Sequence, residues 1–194
     1  HDIFLRELIS NAMDASNKLK TLASKGDFKG KMGDLIVERI VDKKKKTITI
    51  KDNGIGMNQK EVEKYLNQMA FSSAQEFLEK YKDDANIIGH FGLGFYSAFM
   101  VADKVEVITK SYKRGSKAVH WVCEGEPEYL IGDADKKDRG TEITLHINKE
   151  SKEFLEDSRI EELLQKYCKF LPIAIKFGTR TETSFEGEGE DQKE

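Results

Sequence analysis

Glu7, Asn11, Asp14 and Lys18 recur at i, i+4, i+7 and i+11, a spacing that sets them in one row along a helix of about 3.6 residues per turn. The row flanks the apolar positions Leu5, Leu8, Ile9, Ala12, Ala15 and Leu19. Such a stripe is either an ordinary solvated face or a carboxylate and an amide held one turn apart to do chemistry. A second segment, Asp52 to Met57, reads D-x-G-x-G-M after an alternating run. It is either an Asp-Asn-Gly turn or a carboxylate fixed at a strand end, where it can accept a hydrogen bond from an exocyclic amine. In the second reading the glycines let a flat ring approach the backbone, and Met57 packs on that ring. A third, Gly89, Gly92 and Gly94, forms G-x-x-G-x-G with Phe91 and Phe95 among its residues. The order is wrong for a dinucleotide fingerprint, and no G-K-[ST] follows, so a Walker loop is excluded. A glycine loop entering a helix that starts near Phe95 remains. Its free N–H groups and helix dipole suit a phosphate, unless the glycines serve only close packing.

These groups need elements to hold them. Helical spacing predicts a helix from Asp2 to about Ala23, with Asp2 available as N-cap. "DLIVERIVD" and "KTITIKD" alternate about a lysine turn, Lys43 to Lys46, as a hairpin does. Asn58 can cap a short helix over "NQKEVEKYLNQM", "SAQEFLEKY" suggests another, and residues 70–94 read as a mobile excursion. A helix over "FYSAFMVA" is expected next, then strands at "KVEVITK", "AVHWVCE", "EYLI", "TEITLHI" and "IAIKF", with a helix near Arg159 to Phe170 before Pro172. Strands that follow one another without helical crossovers predict an α+β two-layer sandwich: a mixed, mostly antiparallel sheet with helices on one face.

Composition bounds the chemistry. The chain has 194 residues, 38% hydrophobic, enough for one packed core. Its 32 basic and 35 acidic residues are interspersed, for a net charge of -3, which argues against nucleic acid as partner. The two cysteines, Cys123 and Cys168, lie far apart and fit a reducing compartment. No apolar run is long enough to span a membrane and no signal pattern is visible, so a soluble cytoplasmic domain is expected. His1, His90, His120 and His146 lack ligand spacing, and no G-x-S-x-G elbow occurs. The start at His1 on an amphipathic helix and the acidic ending "FEGEGEDQKE" look like a fragment of a longer protein. The expected division is one folded domain over 1–180, with a lid at about 65–94, and an acidic disordered linker over 181–194.

E-x-x-x-N on a helix, D-x-G-x-G after a strand, G-x-x-G-x-G before a helix and "GTEITL" downstream follow the order of the ATPase superfamily shared by gyrase, MutL, histidine kinases and heat-shock protein 90, the GHKL or Bergerat type. Within it, "IFLRELISNAMDA", "IGHFGLGFYSAFMVADKV" and "RGTEITL" resemble the N-terminal ATP-binding domain of heat-shock protein 90 chaperones. "YCKFLPIAI" looks most like the bacterial branch. The resemblance runs to about residue 178.

That resemblance implies ATP binding and hydrolysis with ATP/ADP and Mg2+ as ligands, in a chaperone that closes a lid and forms a homodimer in its full-length form. Glu7 matches the family's general base and Asn11 its magnesium-holding amide. Asp52 matches the adenine-reading carboxylate, supported by Thr141 through water, and Gly56 and Met57 match the lining of the base pocket. Asp14 and Lys18 match rim positions near ribose and phosphate. Ala15 and Leu66 belong to the same nucleotide-binding set, and Gly92, Leu93, Gly94 and Phe95 match the phosphate loop. The lid departs from the family: Tyr65 stands for an asparagine, Asn67 for a glycine and Phe71 for a phosphate-reaching lysine, so slower or differently gated closure is expected. The implied partners are nucleotide and, through other domains, client proteins. An isolated domain of this type should bind nucleotide without appreciable turnover, since the family's middle domain supplies an arginine to the γ-phosphate. A DNA-coupled ATPase of the same superfamily is one alternative, told apart by the sequence that follows. A noncatalytic nucleotide sensor is another, and Glu7 argues against it.

Overall fold

The first helix, α1 (Ile3–Ser24), forms because its apolar residues fall on one stripe, and Phe4, Leu5, Leu8, Ile9 and Leu19 are fully buried by it. The structure, a computed structural model, describes residues 2–66, 94–125, 128–168 and 174–179. Asp2 does not cap α1 as the sequence suggested, since its backbone is already helical and its side chain makes no capping bond. Its carboxylate instead accepts Nη2 of Arg159 at 2.8 Å, an ion pair to the last helix that outcompetes the local cap.

The hairpin is as expected: β1 (Ile36–Asp42) and β2 (Thr47–Asp52) pair antiparallel from Val37 opposite Asp52 to Asp42 opposite Thr47. Asp42 Oδ1 accepts the Lys45 N–H at 2.9 Å inside the lysine turn. Helix α2 (Gln59–Leu66) opens with a reciprocal capping box. In it the Glu61 N–H donates to Asn58 Oδ1 at 3.0 Å, and the Asn58 N–H donates to Glu61 Oε2 at 2.8 Å. The second lid helix expected over "SAQEFLEKY", and most of the lid, lie outside the described residues, as does the acidic stretch 181–194.

Where a helix was expected over "FYSAFMVA", the chain makes a seven-residue 3₁₀ helix, Gly94–Met100, and Ala102 already belongs to β3 (Ala102–Lys110). Its side chains explain the early stop. Phe95, Tyr96 and Ala98 are buried, Phe95 meets Trp121 edge-on at 5.7 Å, and β3 must begin at once to pair with its neighbours. Strands β4 (Ala118–Cys123), β5 (Tyr129–Ala134) and β6 (Gly140–Ile147) follow, then a short 3₁₀ turn (Lys152–Leu155), α3 (Asp157–Cys168) and β7 (Ala174–Thr179).

The seven strands lie in the order β5-β4-β3-β6-β2-β1-β7. All neighbours are antiparallel except β1 and β7. Alternate residues, Val37 and Val41, Ile48 and Ile50, Val105 and Val107, Trp121 and Cys123, Leu145 and Ile147, are buried in one core with α1 and α3, so the α+β sandwich read from the sequence is the fold. Truncating a fully buried member such as Leu8 should cost about 2–5 kcal/mol. The opposite face is polar. There β3, β4 and β6 bring together Glu106, His120 and His146, whose Nε2 atoms lie 2.9 and 2.6 Å from the Glu106 oxygens. Sequence spacing alone did not reveal this convergence.

Candidate functional site

Asp52 is the last residue of β2, directly opposite Thr141 on β6, which in turn lies opposite Thr109 on β3. Directly opposed residues share a face, so the three side chains form one row across three strands. All three are buried. In each strand the row continues an apolar alternation, Ile48-Ile50-Asp52, Leu145-Ile143-Thr141 and Val105-Val107-Thr109, and replaces its next member by a polar residue. That break in hydrophobic phase is a signal the sequence carried for Thr109, which sequence reasoning missed.

The segment after Asp52 arches over this row. The Gly54 N–H donates to Asp52 Oδ1 at 2.8 Å, and the Met57 N–H donates to Thr109 Oγ1 at 2.9 Å. Between them the Ile55 N–H reaches Ala15 O on α1 at 3.2 Å, while the Tyr112 N–H reaches Ile55 O at 2.7 Å. The glycines meet other backbone on the side where a Cβ would stand. A Cβ on Gly54 would lie 2.6 Å from the Ala15 carbonyl carbon, and one on Gly56, whose φ is 57°, would lie 1.9 Å from Lys110 O. Gly140 is constrained alike, at φ 114° with a Cβ only 2.2 Å from Asp52 O.

Burial raises the Asp52 pKa from 3.8 to about 7, because a carboxylate loses its hydration there. The N–H groups of Gly54 and Thr141 and the Lys136 ammonium pull it back down, and Glu142 pushes it up. Lys136 is itself held by Glu142 at 2.7 Å, and Lys51 lies 3.3 Å from the same carboxylate. Burial thus disfavours the charged form of this carboxyl, and a partner that donates to it would favour the charged form.

At the other end, Glu7 is buried while Asn11, Asp14 and Lys18 of the same row are exposed. The difference is local. Gly94, at the start of the 3₁₀ helix, lies against Glu7 so closely that a Cβ would sit 2.4 Å from Glu7 Oε2. The other oxygen, Oε1, accepts Arg6 Nη2 at 2.7 Å and Arg6 Nε at 3.1 Å. Arg6 was not singled out from the sequence, since adjacent residues on a helix do not ordinarily face each other. Of the remaining expected positions, Ala15 is half-buried and contributes its carbonyl to Ile55, and Met57 is half-buried against the core. Leu66 is buried, its carbonyl accepting the Tyr96 hydroxyl. Phe95 is a core side chain. Gly92 and Leu93, with Asn67 and Phe71, lie outside the described residues. Tyr65 is 60% exposed on α2.

The donor set suits magnesium. A single exposed amide, Asn11, stands one turn from the buried carboxylate, and a cation that keeps several waters and takes the rest of its ligands from phosphate needs little more from protein. Among the described residues no group of three or more His, Cys, Asp and Glu could hold a metal ion by itself.

The chain is similar to proteins of known family. The family described as "Histidine kinase-, DNA gyrase B-, and HSP90-like ATPase" matches residues 3–156. The chain is 62% identical over 183 residues to the chaperone protein HtpG of Bacteroides thetaiotaomicron, covering 94% of this chain and 27% of that protein. The HtpG of Porphyromonas gingivalis is 61% identical over 183 residues, with the same coverage, and that of Cronobacter sakazakii 47% over 188 residues, covering 93% of this chain and 30% of the relative. The chain therefore spans less than a third of the length of these relatives. With a family match over most of its length and a buried carboxylate at each end of the helix–sheet layer, this chain belongs to the histidine kinase-, DNA gyrase B- and HSP90-like ATPase family, as an ATPase domain of the kind HtpG chaperones carry.

Proposed function

We propose that ATP lies with its base at the Asp52–Thr141 row and its phosphates between Glu7 on α1 and the loop ending in Gly94. The single observation that carries this reading is the Asp52 carboxyl, buried and pushed up to about 7, at the end of a strand whose following loop is clamped over it. A buried carboxyl without a matching ligand is costly, and an exocyclic amine is the partner its free lone pairs suit. Thr141 supports that contact through water, with Gly56, Met57, Ala15 and Leu66 lining the base end. Asp14 and Lys18 stand at the rim. Gly92, Leu93, Gly94 and Phe95 form the phosphate loop.

In hydrolysis a water attacks the γ-phosphorus, the bond to the β–γ bridging oxygen breaks, and the water's proton passes to the Glu7 carboxylate. Gly94 leaves Glu7 Oε2 uncovered by a side chain, and Arg6 fixes Oε1, so the carboxylate is held in one orientation. Asn11 would hold Mg2+, which when bound neutralises phosphate charge.

Residues 1–180 act as the ATP-binding domain, with a lid at about 65–94, and 181–194 as an acidic linker within a longer cytoplasmic chaperone. That chaperone works as a homodimer on client proteins, with lid closure altered by Tyr65, Asn67 and Phe71. Similarity to HtpG chaperones supports this. Isothermal titration of the domain with ADP or ATP and magnesium tests the site. Binding that Asp52→Asn largely abolishes and Glu7→Ala spares is expected, and undiminished binding by the Asp52 variant would overturn the reading.

A further inference from the structure

We propose that the lysine turn between β1 and β2, Lys43 to Lys46, is the docking surface for the acidic stretch that follows β7, with Glu186, Glu188 and Glu190 laid across it. The nucleotide site takes no part in this contact. Its consequence, though not the contact itself, rests on residues 181–194 serving as a linker.

Four consecutive lysines join Asp42 to Thr47. Two of them have acidic neighbours in the folded domain: Lys43 Nζ lies 2.8 Å from Glu156 Oε2, and Lys45 Nζ lies 3.9 Å from Asp42 Oδ2. Both lysine side chains are more than half exposed, so these pairs are weak and readily exchanged. The next acid, Asp157, is taken by Arg39 at 2.9 Å. Two carboxylates against four ammonium groups leave the turn positive. Lys46 adds a second sign. Among the described residues it is the non-glycine with a positive φ, 54°. Glycine or asparagine fills such a left-handed position at less cost, so a lysine there points to use of its charge.

Strand β7 delivers the acidic stretch to this turn. It runs parallel to β1 with Thr179 opposite Val41, so the chain leaves β7 toward the end of the sheet where Lys43 begins, away from Asp52. Beyond it come Glu182, Glu186, Glu188, Glu190, Asp191 and Glu194, with Lys193 the single base after Arg180. Glu186, Glu188 and Glu190 alternate with Gly187 and Gly189. In an extended chain their carboxylates stand on one side and no side chain stands on the other. The seven residues from Thr179 to Glu186 span up to about 25 Å, so reach does not limit the contact. Tethering holds the two charged segments at high effective concentration, which turns several weak pairs into a populated contact. Docking there fixes the direction in which the linker departs, along the β1 side of the sheet.

Nuclear magnetic resonance of the nitrogen-15-labelled domain, without nucleotide, tests the contact. In Glu186→Gln/Glu188→Gln/Glu190→Gln the amide signals of residues 43–47 should move from their wild-type positions at about 20 mM salt and coincide with them at about 500 mM, where exposed charges are screened. Lys44→Glu/Lys46→Glu should move the signals of residues 186–191 with the same salt dependence, and adding Glu186→Lys/Glu188→Lys should reverse that movement. Unmoved signals at 43–47, changes that map to other lysines instead, or shifts that grow with protein concentration and so report the tail of a second copy each overturn the proposal. A circular-dichroism melt like that of wild type shows that each variant is folded, and if Lys44→Glu/Lys46→Glu is not, the tail variant decides alone. Because no nucleotide is present, failure here leaves the reading of the Asp52 and Glu7 ends untouched.

Discussion

The two ends of the site are built differently. At the Asp52 end the fixed points are backbone: the Gly54 and Met57 amides clasp a row set by strand register, and three glycines pack with no room for a Cβ. At the Glu7 end the carboxylate is held by one neighbouring arginine and one glycine, on a helix where Asn11, Asp14 and Lys18 of the same row are exposed. Register can shift only by unfolding, whereas a side-chain ion pair can be exchanged for another partner at low cost. Under the proposed reading, the Asp52 end is therefore suited to constant recognition of the base, and the Glu7 end to chemistry that depends on what arrives.

Breaking the phosphate end should give the largest effect. Glu7→Ala in a full-length chain is expected to lower steady-state ATP turnover by about 10² to 10⁴, with nucleotide affinity little changed; an equal loss in affinity would move Glu7 to the recognition side. Breaking the base end comes next. Asp52→Asn puts an amide N–H or a neutral oxygen where a charged acceptor stood and should weaken ADP by about a hundredfold, measured by titration calorimetry. Its thermal stability should hold or rise above neutral pH, because a costly buried charge is gone.

Gly94→Ala sharpens the contrast. Its methyl would collide with Glu7 Oε2, and moving that oxygen by about 1 Å should cost turnover about tenfold to a hundredfold. Turnover under saturating ATP is the readout, and an unaltered rate would mean that Glu7 has freedom the packing denies.

The smallest expected effect is on pH. With Asp52 at about 7, its folded-state pKa lies above its unfolded value, so its contribution to stability is fully present below pH 3.8 and is lost as pH rises toward 7. Binding has the opposite sign. An amine prefers the ionised acceptor, so ADP affinity should climb by up to about tenfold between pH 6 and pH 8. The charges that bear on Asp52 are Lys136 and Glu142, with Lys51 on the same glutamate, and the α1 backbone at Ala15 packs over its loop without adding a charge. Asp52→Asn should flatten the profile, and a slope that persists in that variant would assign it elsewhere.

Much of this was legible in the residues. The helical row, the hairpin, the Asn58 cap and the order of the three glycine and carboxylate motifs follow from local periodicity and turn chemistry, and they placed Glu7 and Asp52 correctly on α1 and at the end of β2. What escaped needed tertiary contact. Asp2 gave up its capping role for Arg159 of α3, and "FYSAFMVA" wound as 3₁₀ because Phe95 had to reach Trp121 and β3 had to start. Thr109 was hidden in "KVEVITK", where one polar residue in phase with two valines looks like a strand end until β6 brings Thr141 beside it.

The central claim is that one site joins the two ends. A crystal structure of the domain with ADP and magnesium tests it most directly. The account predicts the adenine amine within hydrogen-bonding distance of the Asp52 carboxylate and the diphosphate against the segment ending at Gly94. A nucleotide bound without bordering both would contradict it.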